Sequence, residues 1–224
     1  MVNKQADRSR ERAREDYLKA IYHLGEGQPV KAVAIARHLR VSRASVSKLR
    51  RVLERDGLIV TAQRRADALR LTPQGLSIAI HMVRRHRLVE TFLHRSLAVP
   101  LARVHTDAEK IEHTISDDIA RRLAGFLGNP VRDPHGHRIP QSTAERSAGH
   151  DAGLETIPAG RAIAVTAVDD SDEKVMRRLV SLGVLPGFRA LVVSSGAHTV
   201  RLKSGRRMLE LPRSTAACVR CKLA

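Results

Sequence analysis

Aromatic side chains are scarce in this chain. Phe, Tyr and Trp together make up 2% of the 224 residues, and tryptophan is absent. Proteins that grip single-stranded nucleic acid stack its bases on aromatic rings, so this composition argues against that mode. Cysteine is nearly as rare: Cys218 and Cys221 form one C-x-x-C near the C-terminus. They make no disulfide framework, and idle thiols are the first reading, with half of a zinc site as the alternative. No apolar run approaches the roughly 18 residues that a membrane span needs. The opening Met1 to Asp16 is charged and lacks the apolar core of a signal peptide. These absences predict a cytoplasmic protein with no membrane partner.

Acidic groups are also outnumbered, 23 against 40 Lys and Arg, for a formal charge of +17 and a sequence pI of about 11.2. The excess is uneven: residues 1–72 hold 17 basic and 8 acidic groups, residues 73–150 hold 11 and 8, and residues 151–224 hold 12 and 7. The N-terminal third is therefore the expected polyanion face. With 42% apolar residues, the length suits one large or two modest domains with buried cores, and two is the first reading.

Within that basic third, residues 9–24 place Tyr17, Leu18, Ile21, Tyr22 and Leu24 in helical register, and Gly25, Gly27 and Pro29 end the helix. A short helix is predicted over Val30 to Leu39. Ser42 then caps a helix over Arg43 to Asp56, with Val46, Leu49, Val52 and Leu53 on its core face. A short helix, a tight turn and a basic helix read as a helix-turn-helix. Ser42, Arg43, Ala44, Ser45, Ser47, Lys48, Arg50, Arg51 and Arg55 are the candidate contacts to double-stranded DNA: small hydroxyls and Lys48 for base edges, arginines for phosphates. The bland alternative is a solvated basic helix face. Two β-like runs, Leu58 to Ala62 and Ala68 to Thr72, flank Arg64 and Arg65 and suggest a wing whose basic tip lies on the DNA backbone. Thr72-Pro73 then opens a long helix toward Leu97.

The middle of the chain carries a second kind of chemistry. His86 and Glu90 are i, i+4 on the long helix, and His105 follows. A helix expected from Thr106 to residue 127 sets Glu109, Glu112 and His113 on adjacent turns of one side. Six imidazoles and carboxylates so close in sequence suit a divalent ion, and oxygen and nitrogen donors without thiolate favour manganese, iron(II), cobalt or zinc. Taken singly, each has a plainer reading. Glu109 fits the capping box of Thr106, and His86/Glu90 fits a solvated helix pair. Ile111, Ile115, Ile119 and Leu123 on one helix, with Ile80, Val83, Val89 and Leu93 on the other, supply apolar surface for a core and a twofold seam. His135-Gly136-His137 sits among prolines and glycines and is read as a solvated loop rather than a ligand pair. After the linker, short β-like runs (163–168, 188–194, 199–202, 208–211 and 216–219) surround a helical piece at 174–182, which suits a small β-barrel.

These motifs together carry a resemblance. REDYLKAIY (14–22), SRASVSKLRRVLERDGL (42–58), LTPQG (71–75), MVRRHRLVETFL (82–93), VHTDAEKIEHTISD (104–117) and DPHGHRIP (133–140) resemble the diphtheria-toxin-repressor and manganese-transport-regulator family, and its manganese branch most closely. LGVLPG (182–187) resembles the ferrous-transport-associated, SH3-like domain of its longer members. The resemblance implies a mainly α protein. Its parts would be a winged helix-turn-helix (1–74), an α-helical metal-binding and dimerisation domain (75–140), a linker (141–160) and an SH3-like β-barrel (161–224). It implies a homodimer that binds a palindromic operator when loaded with metal and represses metal-uptake genes. By motif position, Asp16, Glu109, Glu112 and His113 would hold a primary ion, and His86, Glu90 and His105 a second, with Asp172 or Glu173 as an added ligand from the SH3-like domain. Iron-responding members have Met and Cys where this chain has Asp16 and Glu109, so hard oxygens favour Mn2+ over Fe2+. Small manganese regulators have a further Glu where this chain has Lys19, which leaves out any binuclear cluster built on it. An iron-responsive repressor and a metal delivery or storage module are the alternatives. No H-E-x-x-H or equivalent signature points to an enzyme.

Overall fold

The computed structural model describes residues 2–25, 27–62, 65–141 and 151–224. They fall into two compact units, one running through Arg85 and taking in Pro140, the other from His86 to Ile139 and from Asp151 onward.

The first unit begins with α1 (Val2–Gly25). Its later turns bury Tyr17, Leu18, Ala20 and Ile21, as the periodicity predicts. It starts seven residues before the predicted boundary, because the polar opening has adequate helix propensity but no apolar stripe to reveal it. β1 (Val30–Lys31), α2 (Ala32–His38) and α3 (Arg43–Arg55) follow, and then the wing strands β2 (Ile59–Ala62) and β3 (Arg65–Leu71). The turn between α2 and α3 passes through Arg40 at φ 54. Ser42 caps α3, its Oγ accepting from Ser45 N at 3.1 Å. The residues of β1, expected as helix, instead pair antiparallel with β3, Val30 opposite Leu69, and complete a sheet in the order β1-β3-β2. Two-residue strands leave no period to read. Val46, Leu53, Leu58, Ile59 and Leu69 close the core.

α4 (Pro73–Leu97) is capped by Thr72, whose hydroxyl accepts from Gly75 N at 3.1 Å and donates to Gly57 O at 2.7 Å. A Cβ on Gly75 would stand 2.0 Å from Leu58 O, so glycine is required where the helix start crosses the chain leaving α3. Ile78 and Ala79 pack on the first unit's core, and the division between units falls inside α4.

In the second unit the helix predicted over 106–127 is in fact two. α5 (Leu101–Ile111) leads into a 3-10 turn (Glu112–Thr114), and α6 (Asp117–Phe126) starts afresh. Ser116 caps α6, accepting from Ile119 N at 3.2 Å, and Asp117 and Asp118 fill its first turn. Such a start signal, with carboxylates at the positive helix end, outweighs continuation from α5. Because α5 opens behind Pro100, Thr106 is not a cap, and the capping-box reading of Glu109 falls. Leu88, Val89, Leu93, Val104, Ala108, Ala120, Ala124 and Ile139 form the helical core.

The C-terminal part folds as β4 (Ala152–Gly153), β5 (Ala162–Val168), α7 (Glu173–Leu182), β6 (Arg189–Ser195), β7 (Thr199–Ser204), β8 (Arg207–Pro212), α8 (Arg213–Ala216) and β9 (Val219–Leu223). The six strands make one antiparallel sheet in the order β4-β9-β5-β6-β7-β8, with bulges after Val165 and Val192 that increase its curl. The strand expected at 216–219 lies later, because Pro212 opens the helical turn α8 first.

Candidate metal centre

Helical spacing sets the centre's first two pairs, both in the second unit. On α4, His86 and Glu90 project one turn apart into the interior, with His86 Nε2 3.0 Å from Glu90 Oε1. On α5, His105 and Glu109 are likewise i, i+4, with Nε2 and Oε1 3.5 Å apart. The helices meet where His105 Nδ1 lies 3.1 Å from His86 Nε2 and 3.3 Å from Glu90 Oε1. The break after α5 turns Glu112 inward, so that its Oε2 is 2.5 Å from His86 Nδ1 and its Oε1 is 3.5 Å from His113 Nε2. Glu90 and Glu112 are both fully buried.

Two further residues come from beyond the helices. Asp170, between β5 and α7, places Oδ2 3.4 Å from His105 Nδ1 and 3.1 Å from His135 Nδ1. The loop that delivers His135 is folded tightly. Asp133 Oδ1 accepts from His135 N and His137 N at 2.9 Å each, while Arg87 Nε lies 3.5 Å from Asp133 Oδ2. Gly136, at φ +94, allows the loop to lie against β5, where Val168 N donates to His135 O at 2.9 Å. His135 is fully buried and its Nε2 is 3.1 Å from Leu101 O, so the solvated-loop expectation is wrong. Glycine and proline spacing marked the turn but could not show that β5 covers it.

Electrostatics fit a cation. Burial penalises the Glu90 and Asp170 carboxylates, yet both lie well below the usual carboxyl value, because His86 acts on Glu90 and His105 on Asp170, with His135 helping both. Burial opposes charge on His105 and His135 too, but Asp170 first and the neighbouring glutamates next raise both, His135 to about 11. Glu90 Oε2 is buried without a hydrogen-bond partner, which is costly for a carboxylate and is relieved by a bound cation. One ligand atom each from His86, Glu90, His105 and Asp170 lies within 4.8 Å of the others, and Glu90, Asp133 and His135 form a second such group. Their carboxylate and imidazole donors suit a divalent metal.

The remaining expected ligands are placed as follows. Glu109 is half exposed and stands beside His105, apart from the groups just named. Asp16 is on α1, in the first unit. Asp172 and Glu173 stay out of the cluster, and Asp170 joins it instead. Asp172 caps α7, its Oδ1 accepting from Lys174 N at 2.8 Å and Val175 N at 3.2 Å, and Glu173 pairs with Arg177 at 2.5 Å. Four carboxylates in five residues gave no sequence signal to choose among them. Cys218 and Cys221 are free, and burial pushes both thiols up, Cys221 to about 12. Neither joins a ligand group among the described residues.

Of the expected DNA contacts, Ser42, Arg43, Ala44, Ser45, Ser47, Lys48, Arg51 and Arg55 are all exposed on or beside α3. Arg50 differs from them: its side chain is mostly buried and bonded to Glu54 and Thr61. Arg64 and the side chain of Arg65 lie outside the described residues.

Comparison with known proteins identifies the family. Residues 11–66 match the "Iron dependent repressor, N-terminal DNA binding domain", residues 72–141 its "metal binding and dimerisation domain", and residues 153–223 the FeoA domain. The chain is 35% identical over 222 residues to the iron-dependent repressor IdeR of Mycobacterium leprae, covering 92% of this chain and 95% of that one. It is 32% identical over 217 residues to the diphtheria toxin repressor of Corynebacterium efficiens, covering 92% and 93%. A manganese-dependent transcriptional repressor solved with manganese superposes with a TM-score of 0.85 at 29% identity, covering 94% of this chain and all of the other. No helix among the described residues is long and apolar enough to cross a membrane. An exposed basic recognition helix, a buried carboxylate–imidazole centre and likeness along almost the whole chain make this protein a member of the iron-dependent and diphtheria toxin repressor family, whose members are metal-dependent transcriptional repressors that bind DNA operators as metal-loaded dimers and not enzymes.

Proposed function

We propose that this repressor answers to manganese, binds a palindromic operator as a homodimer in the cytoplasm, and represses metal-uptake genes. The observation that carries the reading is the buried centre of oxygen and nitrogen donors, hard carboxylates beside imidazoles and no thiolate, with Glu90 Oε2 lacking a hydrogen-bond partner. Likeness to a manganese-dependent repressor supports the metal. The relative from Mycobacterium leprae is an iron-dependent repressor, which makes iron(II) the second reading.

We assign one ion to His86, Glu90, His105 and Asp170, with His135 beside them. On the resemblance alone, we assign a primary ion to Asp16, Glu109, Glu112 and His113. A divalent ion supplies the positive charge that these carboxylates otherwise take from imidazolium protons. Asp16 belongs to the DNA-binding segment and Glu112 and His113 to the helical domain, so a shared ligand set would make the placement of the reading heads depend on metal. The parts that do this work are residues 1–74, 75–140 and 161–224, joined by 141–160. Gel shift on duplex DNA with and without manganese tests the proposal. A shift only with manganese supports it, and one equally strong with a chelator present sinks it.

A further inference from the structure

The winged helix holds a side-chain cluster that neither the metal centre nor the exposed face of α3 uses. Arg50 donates from Nε to Glu54 Oε1 at 3.0 Å and from Nη2 to Thr61 Oγ1 at 2.5 Å. Thr61 donates to the same Glu54 oxygen at 2.6 Å. Two residues of the recognition helix and one of the wing strand β2 thus close a triangle. Its ionic members are about three-quarters buried, with side-chain exposures of 26% and 31%. Bonds with a charged partner are shorter and stronger than neutral ones, and partial burial protects them from screening. The Thr61 bond is the largest reason why Glu54's carboxyl lies below its usual value.

The triangle's place in the wing matters. Leu58, Ile59 and Leu69 anchor the base of the wing in the core. Thr61, opposite Leu69, is the last regular pair before the register slips between Thr61 and Ala62. The triangle therefore grips β2 at the outer limit of regular pairing, on the way to the tip. A bulge there leaves the strand free to bend unless something fixes it.

We propose that Arg50, Glu54 and Thr61 are positioning residues for DNA recognition, locking the wing to the recognition helix so that both address the duplex as one rigid piece. Arg50 then acts through Thr61 and Glu54, not on a phosphate. The proposal rests on the DNA-binding role of the winged helix, not on which metal the protein answers to.

The test uses the full-length, metal-loaded protein, with duplex affinity measured from about 50 to 300 mM salt, because the slope counts phosphate contacts at about 0.9 each. Thr61→Val and Thr61→Ala change no charge. Each is expected to weaken binding by about tenfold and to flatten the slope by about one contact per wing. Thr61→Ser should keep both at the parent value, and calorimetric metal affinity should not move in any variant. A general loss of folded protein would lower the active fraction without altering the slope, and urea unfolding measures that fraction. An unchanged slope in whichever of the Thr61→Val and Thr61→Ala variants folds overturns the proposal. So does an Arg50→Met variant that loses far more affinity than the threonine variants, since Arg50 would then be touching DNA itself.

Discussion

Substituting Gly136 by Ala separates a seated loop from a merely nearby one. Gly136 has φ +94, and a Cβ there would stand 2.1 Å from Thr166 O and 2.9 Å from Ala167 Cα, both backbone atoms of β5. The left-handed conformation alone costs a non-glycine residue about 1–2 kcal/mol. Relieving the clash requires the loop to retreat by roughly 1 Å, which breaks the bond from Val168 N to His135 O, a further loss of about 0.5–1.5 kcal/mol. Together these make a destabilisation of about 1.5–3.5 kcal/mol. Gly160 provides the control: it has φ +83 but nothing within 4 Å of its would-be Cβ, so Gly160→Ala carries only the conformational cost. Urea unfolding of both variants in the apo state reads the difference. Because Gly136 adjoins His135, manganese titration of Gly136→Ala should also show the second binding event weakened. Equal stabilities for the two variants, with manganese binding intact, would mean that the loop is not seated on β5, and His135's place in the centre would fail with it.

Asp170→Asn should weaken binding of the second ion, whereas Asp172→Asn should keep metal affinity and cost at most the ~0.5–2 kcal/mol of a helix cap; calorimetry and urea unfolding distinguish them. His113→Ala should abolish metal-dependent operator binding while the protein stays folded, and a retained manganese response in the gel shift would remove His113 from the primary site. Lys48→Ala should relax base preference in a panel of altered operators, while Arg51→Ala should weaken all sequences alike and flatten the salt slope by about one; identical behaviour would refute the division between base and phosphate contacts. Metal affinity should rise with pH. His105 and His135 are both raised in the apo protein, His135 to about 11, so both carry protons at neutral pH that a metal must displace. Apparent affinity should then tighten about tenfold per pH unit for each proton released, and calorimetry in buffers of different ionisation enthalpy counts them. In the apo state, the same raised value means that His135's ionic contacts stabilise fully below its unfolded value near 6.5 and are lost as pH climbs through about 11.

The helices of the winged domain were legible because their signals are local: an apolar stripe at helical spacing, Ser42 and Thr72 as caps, and Gly25, Gly27 and Pro29 as a stop. β1 was not, since two residues carry no periodicity and become a strand only by pairing with β3. The break between α5 and α6 was written at Ser116-Asp117-Asp118, but the apolar repeat Ile111, Ile115, Ile119 and Leu123 ran through it and masked it. His86, Glu90 and His105 were found because i, i+4 spacing is visible along one helix and the family motifs frame them. Asp170 and His135 come to the centre from chain segments 80 and 45 residues after Glu90, through the seating of a glycine turn on β5. Nothing in their neighbours' identities announces that contact. Arg50 misled for a related reason: a basic residue on a recognition helix reads as a DNA contact until the wing strand that engages it is in place.

The central claim is that metal occupancy of the carboxylate–imidazole centre controls DNA binding. Its most direct test is calorimetric titration of the chelator-stripped protein with manganese, iron(II) and zinc, each followed by fluorescence anisotropy on a duplex selected from a random pool. The account predicts that manganese binds and converts weak, salt-sensitive association into tight, sequence-specific binding, and that replacing Glu112 removes the conversion. Sequence-specific binding of equal strength in the metal-free protein would contradict it.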